Sequence, residues 1–101
     1  MPRVIKRPAA KRDLILHFAA IAEGSVEAAQ RFRHAAERSF QDLARMPGMA
    51  PRKILEGKFA GVRMWRVRGF ERYLIFYMSR KDGVAIERVI HAAQDYQRAL
   101  K

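Results

Sequence analysis

Apolar residues recur at helical spacing through the first half of the chain and at strand spacing through the second. From Ala9 to Ala22, Leu14, Phe18 and Ile21 fall at i, i+4 and i+7, Ala22 joins them on the same side, and Gly24 follows where a C-terminal glycine belongs. This predicts a first helix. Ser25 is a good N-cap and Glu27 suits the positive end of a helix dipole. Val26, Ala29, Phe32, Ala36, Phe40 and Leu43 then trace one apolar stripe, so a second, longer helix is expected to run to about Pro47 and Gly48. A connection of only a residue or two forces the two helices antiparallel, as an α-hairpin.

Ahead of the hairpin, Arg3 to Arg7 sets two β-branched residues among basic ones and meets Pro8, which reads as a short edge strand stopped by a breaker. After it, Met46 to Phe59 holds Pro47, Gly48, Pro51 and Gly57 among basic residues, a loop with a short strand at Lys53 to Leu55. From Val62 the period becomes two: Arg63, Trp65 and Val67 alternate with Val62, Met64 and Arg66. A turn around Gly69 leads to Tyr73–Met78, a continuous apolar and aromatic run. Asp82-Gly83 is a hairpin signal, Val84, Ile86 and Arg88 alternate with Ala85, Glu87 and Val89, and the tail from Ala92 to Leu100 is compatible with a short helix. The expected fold class is α+β: an N-terminal edge strand, an antiparallel α-hairpin packed on one face of a small antiparallel β-sheet, and a short C-terminal helix. A chain of 101 residues supports one modest core, so residues 1–101 are expected to form one domain.

Charge narrows the partners. Lys and Arg number 21 against 10 Asp and Glu, a formal net charge of +11, while half the residues are hydrophobic, which argues for a folded chain with anionic partners. Nucleic acid, a membrane surface and an acidic protein segment all fit that charge. The chain has no cysteine, which removes disulfides, thiolate zinc sites and cysteine nucleophiles and suits a cytoplasmic protein. Met1 to Arg12 lacks a continuous apolar core, and no apolar stretch approaches a membrane span, so neither a signal peptide nor a membrane partner is expected.

Several chemistries are excluded by pattern. His17, His34 and His91 form no HxxxH or HExxH motif, so no metal is expected. The glycines are too sparse for a phosphate-binding loop, no cofactor is implied, and Glu71, Asp82 and Glu87 are explained by charge balance in turns and strands. What remains is Arg63, Arg66 and Arg88 with His91 and Tyr96. A basic concave sheet face can hold an RNA phosphate and stabilise a cleavage transition state while His or Tyr moves a proton. The competing reading is architectural: Arg63 and Arg88 cap carbonyls or pair with acids, and Tyr73 and Tyr77 are core residues with wet tips.

The last third of the chain, Gly61-Val62-Arg63, then Tyr73-Leu74-Ile75-Phe76-Tyr77, then Ile86-Glu87-Arg88-Val89-Ile90-His91-Ala92-Ala93-Gln94-Asp95, is similar to the C-terminal half of ParE-type toxins. Their pattern runs G-x-R, Y-x-I-x-Y and I-x-R-V-L-H-x-x-R-D. The order of elements and the Ala10, Asp13-Leu14 opening of the first helix agree with it. The resemblance to this branch of the ParE/RelE superfamily implies a compact α+β toxin of a type II toxin-antitoxin system, wrapped by an antitoxin from the neighbouring gene. It also implies DNA gyrase as the target, reached by protein contact and without a reaction of the toxin's own, and a role in plasmid stabilisation. By position, Arg63 and Arg88 match superfamily sheet arginines and His91 the histidine closing the fourth strand, and Arg66 joins them as a binding residue.

RelE relatives instead cut messenger RNA on the ribosome, which makes a metal-independent mRNA endonuclease the alternative, with Arg63, Arg88, His91 and Tyr96 as its catalytic set. Ala92 and Ala93 stand where such enzymes often place a basic residue, which favours the gyrase branch; Gln94 replaces the arginine of the pattern. The antitoxin is expected to be ParD-like, with an acidic C-terminal segment that folds on binding, into the α-hairpin groove or as an added strand.

Overall fold

A computed structural model describes residues 2–52, 59–94 and 100. The elements run β1 (Arg3–Lys6), α1 (Pro8–Gly24), α2 (Val26–Arg45), β2 (Arg63–Val67), β3 (Phe70–Arg80) and β4 (Gly83–His91). Pro8 opens α1, where its missing N–H costs nothing. Ser25 alone joins the helices: its N–H donates to the Ile21 carbonyl at the end of α1, and its hydroxyl accepts the Ala28 N–H at 3.0 Å at the start of α2. One residue of connection enforces the antiparallel hairpin.

The sheet order is β1-β4-β3-β2. The three later strands are antiparallel neighbours, as the two short turns require, and β1 joins the edge of β4 in parallel, so the sheet is mixed. Arg68 and Gly69 turn β2 into β3, with Gly69 at φ +83°. At the other hairpin the turn residues are Lys81 and Asp82, and Gly83 already belongs to β4. Gly83 has φ +156°, and a Cβ there would lie 1.9 Å from the Arg3 carbonyl oxygen, so glycine is needed for β1 to dock.

The continuous run Leu74–Tyr77 is explained by burial on both faces of the sheet. On the helix side, Ile75, Tyr77, Val84, Ile86 and Val89 pack with Phe32, Ala36, Phe40 and Leu43 of α2 and Ala10 of α1. On the far side, Leu74, Phe76 and Ile90 pack with Phe59, Val62 and Leu100. The register steps between Phe76–Arg88 and Tyr77–Ile86, so Glu87 is an extra residue of β4. That bulge is why Ile86 and Val89, three apart, can share the helix side.

Some expectations change in detail. Val26, placed on the apolar stripe of α2, is 61% exposed because it sits before the first turn that touches the sheet. Ala92 and Ala93 form a turn and Gln94 a bend; the rest of the expected C-terminal helix and the short strand at Lys53 to Leu55 lie outside the described residues, apart from the buried Leu100. No described helix is long and apolar enough to cross a membrane.

Candidate functional site

The edge of β4 explains where the predicted arginine goes. β1 ends at Lys6, and Arg7 donates its N–H to the Ile86 carbonyl, so beyond that point β4 has no strand on its outer side. α1 takes over with two side chains one turn apart. Asp13 accepts the Val89 N–H at 2.9 Å, and His17 donates from Nε2 to the Val89 carbonyl at 2.8 Å, which places its proton on that nitrogen. An edge residue that would expose both backbone groups is thereby satisfied by a helix.

Arg88 completes this seam. Its Nε and Nη2 donate to Asp13 Oδ2 and Oδ1 at 2.7 and 3.0 Å, a bidentate pair. The two side chains retain only 23% and 12% exposure, and the hydrogen bonds to Asp13 hold the Arg88 guanidinium above its ordinary pKa, against the opposing effect of burial. The architectural reading of Arg88 is thus the one the geometry realises. Asp13 and His17, at i and i+4 on one helix face, carry a spacing signal in the sequence that patterns restricted to paired histidines do not catch.

The other candidates sit apart from one another. Arg63 donates from Nη1 to the Ala50 carbonyl at 2.6 Å, and Arg66 from Nη1 to the Glu71 carbonyl at 2.8 Å. His91 is half-buried; its Nδ1 accepts the Ala93 N–H at 3.0 Å, and its ring stands edge-on to Tyr73 with centroids 4.9 Å apart. Tyr73 meets His17 in the same way at 5.0 Å, and burial raises the Tyr73 phenol above its ordinary value. Tyr77, expected to have a wet tip, is fully buried, and its hydroxyl donates to the Pro47 carbonyl at 2.7 Å. Burial raises its pKa too, opposed by a hydrogen bond from the Ala50 backbone and by the charge of Arg63. Tyr96 lies outside the described residues.

Of the three expected acids, Glu71 is exposed yet accepts the Gly69 N–H at 2.6 Å, and Asp82 and Glu87 face Arg3 and Arg7. Among the described residues, no three histidines or carboxylates stand together to hold a metal. The far face of the sheet is apolar at its centre, around Leu74, Phe76 and Ile90, and Arg63 and Arg88 turn away from it to protein acceptors.

Surface grooves among the described residues include two that are largely apolar. One of about 500 Å³ runs between the helices, floored by Leu14, Ile15, Phe18, Phe32 and Ala36 and rimmed by Lys6, Lys11 and Arg33. The other, of about 1020 Å³, lies between the end of α2 and β2, where Met46, Met49, Met64 and Trp65 meet Arg45, Arg66 and Arg68. Ile15 and Leu16, each 67% exposed, extend the first groove over the outer side of α1. Acids share both rims, Glu37 in the first groove and Asp42 and Glu71 in the second, so the exposed apolar surface is edged by charges of both signs.

No curated protein matches the chain. The sequence profile of one known family, described as ParE toxin of type II toxin-antitoxin system, parDE, matches residues 4–96. That span runs from β1 through β4 and takes in the Asp13–Arg88 seam and both grooves, so the chain belongs to the ParE toxin family and is the toxin partner of a cognate antitoxin.

Proposed function

We propose that this toxin inhibits DNA gyrase by direct protein contact. The observation that carries the reading is the use made of the two sheet arginines. Arg88 is clamped by Asp13 and Arg63 by the Ala50 carbonyl, while the sheet face that would receive an RNA strand is packed with apolar side chains. A guanidinium already committed to holding α1 on β4 is poorly placed to stabilise charge on a transferring phosphate. The surfaces left exposed, the apolar grooves with their charged rims and Arg66 beside Trp65, suit protein partners.

The antitoxin is assigned the groove of α1 and α2, with an acidic amphipathic helix laying its apolar side on Leu14, Ile15 and Phe18 and its carboxylates against Lys11 and Arg33. The test is gyrase supercoiling and cleavage-complex formation with the purified chain. Inhibition that the antitoxin reverses supports the reading, and full gyrase activity at micromolar toxin removes it. Ribosome-dependent cleavage of messenger RNA by the same preparation, abolished in Arg88→Ala and Arg63→Ala proteins that still fold, would establish the endonuclease instead.

A further inference from the structure

We propose that the outward side of α2 is a phosphate-binding ridge for the backbone of duplex DNA. At 100° per residue, Glu27, Arg31, His34, Arg38, Gln41 and Arg45 fall within a narrow stripe, and all six are exposed. That stripe lies diametrically opposite Phe32, Ala36 and Leu43, which are buried against the rest of the protein. It is therefore the outermost line of the hairpin and can meet a flat or convex polyanion without obstruction. Arg45 has Asp42 beside it at 2.6 Å, and Glu37 is neutralised by Lys6, whereas no ion pair with a described carboxylate forms at Arg31 or Arg38. Holding these unpaired charges on the helix contributes nothing to its packing.

Arg31, Arg38 and Arg45 are successive seven-residue steps, each about 10.5 Å along a helix axis, so their charges are spread widely enough to meet separate phosphates. The choice of DNA over RNA rests on the reading that the toxin acts on a DNA-handling enzyme. On that reading the ridge would hold the duplex next to the toxin's protein target. Contacts to phosphates alone carry no base sequence, so the binding is sequence-blind.

The experiment is fluorescence anisotropy of a labelled mixed-sequence duplex with the full chain, without gyrase, titrated between about 50 and 200 mM salt. Neutralising about three phosphates predicts a slope of log K against log salt near −2.7, or about 40-fold weakening across that range. Arg31→Glu with Arg38→Glu should lower the slope to about −0.9 and the weakening to about fourfold, and Arg31→Lys with Arg38→Lys should keep it near the starting value. Arg72→Glu with Arg80→Glu, two exposed residues of β3, changes the net charge equally and should leave the slope nearly intact. Equal losses in the two glutamate pairs would mean diffuse attraction by the net charge and would overturn the ridge. A duplex RNA bound as tightly as DNA, with the same dependence on Arg31 and Arg38, would overturn the assignment to DNA. Because gyrase is absent, failure here leaves the gyrase reading standing, and failure in the supercoiling assay leaves the ridge standing.

Discussion

The two helices solve the same packing problem with opposite compositions. In α2 the division is clean: Ala29, Phe32, Ala36, Phe40 and Leu43 are buried, and the opposite side is charged and wet. In α1, residues 14–22 contain a single polar side chain, His17, yet the buried residues of the whole helix are Ala10 and Asp13. A helix apolar on all sides is ordinarily covered on all sides. The difference is that the outward side of α2 is charged and that of α1 leaves Ile15 and Leu16, apolar side chains, in water. It shows that burial is a poor guide to polarity in α1, where the residues that fasten it to β4 are Asp13 and His17 and those left outside are Ile15 and Leu16.

The comparison is broken hardest at the inner side of α1. Asp13→Ala leaves the Arg88 guanidinium and the Val89 N–H without their partner in a largely dry seam, and should cost about 3–5 kcal/mol, read as a lower denaturant midpoint. Asp13→Asn, which keeps the shape and one acceptor, should cost less. If Asp13→Ala unfolds at the wild-type midpoint, the seam is not what holds α1 in place.

The outer side of α1 should respond in the reverse way. Ile15→Lys with Leu16→Lys should leave stability within about 0.5 kcal/mol, since both side chains are already in water. The same pair should weaken the antitoxin by about 3 kcal/mol, more than a hundredfold, through lost apolar burial and added charge, as measured by calorimetric titration. Unchanged affinity would move the antitoxin to the groove beside Trp65.

A smaller effect is expected where the end of α2 meets the sheet. Tyr77→Phe removes the hydroxyl that holds the Pro47 carbonyl and should cost about 1–2 kcal/mol in thermal or denaturant unfolding. Tyr73 and Tyr77 both titrate above the ordinary 10.0 in the folded state, so the unfolded chain loses these protons first. Their contribution to stability is complete below about pH 10 and is lost as the pH rises through the folded values. Alkaline unfolding should therefore be less steep in Tyr77→Phe; identical profiles would show that the phenol plays no part. Smallest of all, Arg31→Ala with Arg38→Ala should shift the midpoint by no more than about 0.5 kcal/mol, because neither side chain is ion-paired with a described carboxylate.

Much of this molecule was legible from residue order alone. Helical periodicity, Ser25 between two runs, and alternation after Val62 are local signals, and local signals determined the element order, the antiparallel hairpin and the antiparallel pairing of the last three strands. Resemblance in the last strand pointed to the ParE family, which the profile match over residues 4–96 establishes. Net charge pointed to anionic partners without choosing among them, since no fold can hide 21 cations against 10 acids. The tertiary structure alone decided what the individual side chains do. Whether Arg88 faces solvent or Asp13 depends on a contact across 75 positions of chain and on a one-residue bulge at Glu87, neither of which has a period. In α1 the stripe read from the sequence does place Leu14 and Ile21 against the core, but periodicity does not say which polar side chains close the seam with β4. It was settled by two backbone groups of Val89 that had to be satisfied, and Asp13 and His17 were the side chains able to do it.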